Sequence, residues 1–144
     1  MRRRLSDEQG FTLFEIRIVA LIIAILAAIV LATLDGKRAS AQDSVAKMNV
    51  GSMHAHVEAC FVDTEDYRQC ETGDVRLGRT GLAEGNGAGR TRVTSNGQRD
   101  FVIRSVSRSR NTFSLVRDRG ASVERVCSVP ARRDRGGCQT DSTW

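Results

Sequence analysis

The hydrophobic pattern changes its periodicity along the chain. From Ile18 to Leu34 every position is apolar except Thr33, with neither a helical stripe nor a strand alternation. As a helix rising about 1.5 Å per residue, this run is roughly 26 Å long. Adding Phe11–Ile16 makes it long enough to span a hydrocarbon core of about 30 Å. The sequence therefore predicts a hydrophobic transmembrane helix over residues 11–34.

After Gly36 the apolar residues recur at spacings near three and four, which is typical of an amphipathic helix with one buried face. The predicted stripe consists of Ala41, Val45, Met48, Met53, Val57 and Phe61. We expect residues 35–61 to form this helix and to pack the stripe under a sheet. His54 and His56 are two positions apart, so we expect them on the helix surface rather than at a metal site.

The rest of the chain, residues 62–144, is predicted to form a globular head. Residues 62–89 lack periodicity and are rich in glycine and acidic side chains, as loops are. Beyond Arg90, segments rich in Val, Ile, Phe and Thr alternate with turn sequences such as Asn96-Gly97, which predicts an antiparallel meander. The strand segments are 90–95, 99–107, 111–118 and 121–129. The predicted fold class is α+β, a long N-terminal helix packed against a four-stranded antiparallel sheet.

The two faces of this meander are predicted to differ in polarity. The apolar residues expected to pack on the helix are Val102 or its alternates, Val106, Phe113, Leu115 and Val123. The arginines expected on the outer face or rim are Arg104, Arg108, Arg117, Arg119 and Arg125. Charge is also uneven along the head: residues 35–89 contain six Lys and Arg against nine Asp and Glu, whereas residues 90–144 contain twelve against five. A basic half of this kind attracts nucleic acid, an anionic surface or an acidic neighbour.

Four cysteines follow the apolar run, at positions 60, 70, 127 and 138. An even number of cysteines in a small exported domain suggests two disulfides, for which three connectivities are possible. We favour the local pairs Cys60–Cys70 and Cys127–Cys138. Each closes a loop of about ten residues and would stabilise the fold by roughly 2–3 kcal/mol.

Catalytic and cofactor-binding patterns are missing from the sequence. No cysteine spacing is CxxC, and there is no Ser-His-Asp arrangement. The glycine-rich stretch at residues 85–89 has neither of the phosphate-binding glycine patterns. We therefore expect a protein that is not an enzyme and that holds neither a metal nor a cofactor.

The charges at the start of the apolar run need an explanation. The arginines of Arg2–Arg4 hold the N-terminus in the cytoplasm and export the head, by the positive-inside rule. Glu15, however, would cost about 2.5–3.5 kcal/mol inside a bilayer, and Arg17 does not face it on a helix. A signal peptide cleaved after Ala41 has too long an apolar core. A plain membrane anchor gives no reason for the carboxylate.

These residues resemble the signature of the type IV pilin family, in which a short basic leader ends in glycine and a long apolar helix follows. Here the signature reads Gly10, then Phe11-Thr12-Leu13, Phe14 and Glu15. The resemblance implies that a prepilin peptidase removes residues 1–10 by cutting between Gly10 and Phe11, and that Phe11 is then N-methylated. It also implies the pilin fold and a homo-oligomeric helical filament. The stretch from Val57 to Leu82 and the closing residues 137–144, with their disulfide, look similar to pilins of actinobacteria and their relatives.

In this interpretation Glu15 is the assembly charge. Cleavage creates an α-amine at Phe11 with a pKa near 8, so that it is mostly protonated. Breaking an ion pair between that amine and Glu15 inside a bundle of apolar helices would cost roughly 3–5 kcal/mol. The precursor is then expected as a single-pass protein of the cytoplasmic (inner) membrane. The pilus assembly machinery would build from it an extracellular pilus for adhesion, motility or DNA uptake.

Two alternative functions keep the membrane anchor but change the role of the head. One is a pseudopilin of a type II secretion or competence machine, which forms a short periplasmic piston. The other is a membrane-anchored module in which the Arg-rich C-terminal half binds nucleic acid. The second alternative lacks aromatic residues interleaved with the arginines, on which bases could stack. DNA therefore stays a possible partner only.

Overall fold

The computed structural model describes the backbone of residues 12–130 and 135–144, and their side chains except at residues 31–36. The predicted leader, residues 1–10, and Phe11 lie outside the described residues. The elements are α1 (Leu13–Thr64), two single-turn 3₁₀ helices (Tyr67–Gln69 and Val75–Leu77), β1 (Arg90–Thr94), β2 (Phe101–Val106), β3 (Thr112–Arg117) and β4 (Glu124–Ser128). The predicted α+β class and the antiparallel meander are confirmed.

The chain divides into two compact units, Met1–Asp35 and Gly36–Trp144. The described part of the first unit consists of the N-terminal portion of α1. The second unit contains the rest of α1, the loops and the whole sheet, and its hydrophobic core joins residues of the helix and of the strands. This core holds the head together by the burial of apolar side chains.

One face of α1 packs under the sheet in the second unit. Its buried residues recur at spacings of three and four: Asp43, Ala46, Val50, Met53, Val57 and Cys60. The predicted stripe was right at Met53 and Val57. It was wrong in its first half, where the exposed residues are Ala41, Val45 and Met48. The acidic Asp43 occupies the first buried position, so that choosing positions by apolar character selected the opposite face of the helix in this half.

α1 ends at Thr64 because the backbone turns left-handed at the next residue. Glu65 has a φ of 51°, and its amide donates a hydrogen bond of 2.7 Å to the carbonyl of Phe61. The short 3₁₀ helix that follows returns Tyr67 to the side of α1. There the Tyr67 ring stacks on Phe61 with 4.1 Å between the ring centroids.

Each strand of the sheet pairs with the next one along the chain. The buried residues of β2 and β3 on the helix side are Phe101, Ile103, Ser105, Phe113 and Leu115. The prediction for Phe113 and Leu115 was therefore right. The prediction that Val106 faces the helix was wrong. Val106 alternates with the buried Ser105 and therefore shares the outer face with Arg104. The buried Ser105 hydroxyl accepts a hydrogen bond of 3.0 Å from Thr91.

Loop segments cover both edge strands of the sheet. Along β1, the Thr91 amide donates a hydrogen bond of 2.9 Å to the carbonyl of Ala83. Along β4, the Cys127 amide donates one of 2.7 Å to the carbonyl of Ser142. Because covered edges are poor templates for pairing with another chain, contacts between copies are expected on the helix rather than on the sheet edges.

Candidate functional site

The N-terminal part of α1 is apolar and exposed on all of its sides. Leu13–Val30 is long and apolar enough to cross a membrane, with a mean hydropathy of 2.7, and none of it is buried. Its large apolar side chains are between 43% exposed, at Ile18, and 72% exposed, at Leu13. A helix that is apolar all round requires lipid or other protein around it. This segment is the candidate site.

Thr12 determines where the helix begins. Its Oγ1 accepts a hydrogen bond of 3.2 Å from the amide of Glu15, and its carbonyl accepts one of 3.2 Å from the amide of Ile16. A threonine followed three residues later by a glutamate is the capping-box pattern, of which this is the first hydrogen bond. Glu15 therefore lies in the first turn of α1, where the positive end of the helix dipole favours a carboxylate.

The Glu15 carboxylate makes no ion pair with another residue that the structure describes. Arg17 is exposed on the same helix, but residues two positions apart point in different directions. The predicted cleavage at Gly10 and Phe11 falls outside the described residues. What the structure brings together is a capped helix start and a carboxylate in its first turn.

The part of α1 in the second unit carries an exposed stripe as well, here called the outer stripe. Its members alternate at spacings of four and three: Ala41, Val45, Met48, Ser52, Ala55, Ala59 and Val62. It is offset by two residues, about 200° around the helix, from the buried stripe. Met48 is 72% exposed and Val62 is 77% exposed. The spacing is that of a heptad seam, along which two helices pack together.

Sequence reasoning missed Asp43, which joins three segments of the head. The residue is 1% exposed, and its carboxylate accepts hydrogen bonds from the Ser109 hydroxyl and, at 2.8 Å, from the Asn111 side-chain amide. The backbone of Gly136, whose φ of 55° suits glycine, lies against the same carboxylate. The signal that could have revealed Asp43 is its position three residues before Ala46, at the spacing of the buried stripe.

Tyr67 organises a second polar cluster, near the C-terminal end of α1. Its hydroxyl donates to Glu58 Oε1 at 3.0 Å and accepts from Arg117 Nη1 at 2.6 Å, while His54 Nε2 lies 3.1 Å from Glu58 Oε1. Burial, and after it the neighbouring Glu58, raises the pKa of Tyr67. The prediction of Arg117 on the outer face or rim was wrong, because Arg117 is on the helix-facing side of β3 and is half-buried in this cluster.

Both disulfides of the local pairing are present in the structure. The Cα atoms are 5.9 Å apart in Cys60–Cys70 and 5.8 Å apart in Cys127–Cys138. The first joins the end of α1 to the loop that follows it, and the second joins β4 to the C-terminal segment. All four cysteines are therefore oxidised, and none is a free thiol.

The chain is similar to the Type IV major fimbrial protein FimA of Dichelobacter nodosus, with 37% identity over 68 residues. The match covers 47% of this chain and 44% of the fimbrial protein, so that it spans less than half of that relative. No family model matches the chain, and no solved structure matches it. The predicted resemblance to type IV pilins is confirmed over about half of the chain, and the N-terminal apolar helix fits it.

Proposed function

We propose that this chain is the precursor of a structural subunit of a type IV pilus. A prepilin peptidase cuts it between Gly10 and Phe11, and Phe11 is then methylated on its new amine. The inner membrane holds the subunit until it joins a helical filament of identical copies. The observation that carries this proposal is the segment Leu13–Val30, which is apolar all round, is 0% buried and has Glu15 in its first turn.

The contact proposed to drive assembly is an ion pair between copies. The mature N-terminus is an amine with a pKa near 8, which is protonated at neutral pH. In the membrane Glu15 is costly, and the amine of a neighbouring copy relieves this cost when it lies beside the carboxylate in a low-dielectric bundle. One copy supplies the amine and the other the carboxylate, so the contact is heterologous. Such contacts build open helical filaments unless the rotation closes a ring.

Two further features support packing between helices. The Thr12 cap starts α1 at the residue after the proposed new N-terminus, and Glu15 lies in the first turn of the helix. The outer stripe adds a heptad-spaced seam to the part of α1 in the second unit, with Val45 55% exposed. In a filament both surfaces would be covered by the helices of other copies, which removes their apolar area from water.

The decisive experiment replaces Glu15 in cells that make the protein. Glu15→Gln and Glu15→Leu should abolish filaments, or reduce the sheared pilus fraction at least tenfold, while the processed subunit accumulates in the membrane. Asp63→Asn is the matched control, because Asp63 is an exposed acid of the same helix; this variant should assemble normally. Undiminished filaments in both Glu15 variants would overturn the role of the carboxylate.

Two measurements test the processing and the kind of filament. Mass spectrometry of the mature protein should find methylated Phe11 as its first residue; a chain beginning at Gln42 would instead identify residues 1–41 as a signal peptide. Shearing of cells should release this protein in long filaments. A subunit that stays with the cell envelope after shearing would favour the pseudopilin.

A further inference from the structure

Basic side chains are exposed on the segments of the second unit that meet at Asp43 and on the helical residues that precede it. Five of them are exposed and form what is here called the basic collar: Lys37, Arg38, Arg108, Arg110 and Arg135. They come from three separate segments of the chain. The fold joins these segments at Asp43, so the collar is not one basic stretch of sequence.

Asp43 is the residue that brings these segments together. It buries its carboxylate under the Ser109 hydroxyl and the Asn111 amide of the β2–β3 turn, and Gly136 of the C-terminal segment lies against it. Arg108 and Arg110 alternate with the buried Ser109 and Asn111 and are exposed, and the Arg108 side chain lies against Gly89. Lys37 precedes Asp43 on the helix by six residues, or about 9 Å.

No carboxylate neutralises the collar among the residues that the structure describes. None of the five basic side chains forms an ion pair there. Arg135 donates hydrogen bonds to the carbonyls of Cys138 and Gln139, at 3.0 and 2.6 Å, and these acceptors carry no formal charge. Asp43 is fully engaged beneath the surface. Within the part of the chain that the structure describes, the collar is thus an exposed positive surface that suits an anionic partner.

The position of the collar along the chain indicates which anionic partner it meets. Lys37 follows Leu34, the last residue of the apolar run, by three positions. Three residues extend at most roughly 10 Å, and the headgroup region of a bilayer is about 5–8 Å thick on each side. If the apolar run spans a membrane, Lys37 and Arg38 must therefore lie at or near the lipid headgroups. Arg108, Arg110 and Arg135 belong to segments that meet at Asp43. Asp43 is about 9 Å of helix beyond Lys37, which is about one Debye length.

We infer that the basic collar binds the anionic phospholipid headgroups of the membrane in which the precursor is held. The inference rests on the membrane-held precursor of the proposed function. Binding of this kind docks the base of the head on the bilayer and must be given up when the subunit leaves the membrane for the filament. The lipid composition and the ionic strength thereby influence how readily subunits are withdrawn.

The test uses the full-length chain in vesicles of phosphatidylcholine alone or with about 30% phosphatidylglycerol, each with a headgroup spin label. Trp144 is the only tryptophan of the chain, and it lies near the collar because Lys47, one turn after Asp43, is 5.7 Å from its ring. The spin label should quench Trp144 more strongly in the anionic vesicles. This difference should disappear in about 0.5 M salt, because salt screens charge attraction.

Charge-matched variants separate the collar from the net charge of the head. Each basic residue near an anionic surface raises the bound population by a factor of roughly five. R108E/R110E should therefore lower the population of heads bound to the anionic surface by at least about 25-fold. Quenching of Trp144 in this variant should no longer depend on the lipid. R92E/R104E changes the charge equally on the exposed outer face of the sheet, where the two arginines lie opposite each other. In this control the spin label should quench Trp144 as strongly as it does in the unmodified chain.

The contradicting outcomes are distinct from one another. Equal Trp144 quenching in both lipids, or an equal loss of quenching in R108E/R110E and R92E/R104E, would overturn lipid binding by the collar. Neither result would contradict the proposed role as a pilus subunit. Loss of pili in R108E/R110E cells with unchanged quenching would identify the collar as a contact between copies and also overturn it. Release of the chain from vesicles by alkaline carbonate would overturn the membrane anchor, and the collar with it.

Discussion

The two units differ in what surrounds the apolar side chains of one helix. In the second unit α1 presents a stripe to the sheet, and Met53 and Val57 are completely buried. In the first unit the apolar residues of Leu13–Val30 lie on all sides of the helix, and none of them is buried. The backbone geometry is helical in both, so the difference lies in the angular distribution of side chains. Periodicity, more than apolar content, indicates whether a helical segment packs on its own chain or on something else.

The largest effect that distinguishes the units should come from truncating a core residue. Phe101 is 0% exposed, and its ring lies 4.9 Å from that of Tyr67, so Phe101→Ala should destabilise the second unit by about 3–5 kcal/mol. Ile22 is 50% exposed, so Ile22→Ala should change the free energy of unfolding in detergent by less than about 0.5 kcal/mol. Denaturation of the full chain, followed by Trp144 fluorescence, measures both. Similar losses in the two variants would contradict the contrast between the units.

A smaller effect should come from the disulfides, which close loops in the second unit only. Replacing Cys60 and Cys70 together by serine should lower the free energy of unfolding by roughly 2–3 kcal/mol, because the unfolded chain gains loop entropy. The Cys127 and Cys138 pair should give a similar loss. A chain with all four cysteines replaced is the control and should not respond to a reducing agent. Unfolding of the native chain that is unaffected by reduction would contradict this prediction.

Removal of the Asp43 carboxylate tests whether this buried group holds the segments that carry the collar together. Asp43→Ala leaves the donors of Ser109 and Asn111 without this acceptor, which should cost about 1–3 kcal/mol. Asp63→Ala removes an exposed acid of the same helix and should be nearly neutral. Thermal unfolding of both variants decides the matter. A larger loss of stability in Asp63→Ala than in Asp43→Ala would show that the Asp43 carboxylate does not hold these segments together.

The smallest expected effect is an acid dependence in the loop after α1. The hydrogen bond from Arg68 holds the pKa of Asp66 at about 2, below the ordinary value near 4. Because the folded-state value is lowered, the stabilisation is present above about pH 4 and is lost as the pH falls towards about 2. Solvent screens this pair, since the Arg68 side chain is 60% exposed.

Arg68→Gln provides the comparison for this pair. The variant should be slightly less stable than the native chain at about pH 6. The difference should become small near pH 2, where Asp66 is protonated in the unfolded chain and about half protonated in the folded one. Denaturant unfolding at the two pH values measures it. A difference that persists at low pH would mean that Arg68 stabilises the loop by packing rather than by charge.

The elements of the fold were predictable because their signals are local. The strands β1–β4 lie inside the predicted segments, and turn sequences such as Asn96-Gly97 separate them. Among the candidate site residues, Glu15 was recognised by its conflict with the apolar run around it. The structure adds the Thr12 hydrogen bond that places Glu15 in the first turn. Cleavage and methylation at Gly10 and Phe11 stay predictions, as does the assembly role of Glu15.

The errors share one cause. Val45 and Met48 were assigned to the core and Arg117 to the outer face or rim, each by its chemical type, and for the same reason Asp43 was left out of the buried stripe. Asp43 is buried because its acceptors are satisfied by residues 66 and 68 positions away. Arg117 faces the helix because Glu58 and Tyr67 lie there to bind it. A polar group can be buried when its hydrogen-bond partners are in place, even if residues of its type are exposed on average.

Local order along the chain was enough to establish a long helix, a four-stranded meander and a carboxylate at the start of an apolar segment, because periodicity and turn chemistry act over a few residues. The assembled fold was required to show which face of the helix is buried, which arginine turns inward and which distant segments meet at Asp43. Those features depend on side chains that are distant in sequence and become neighbours only when the sheet closes over the helix.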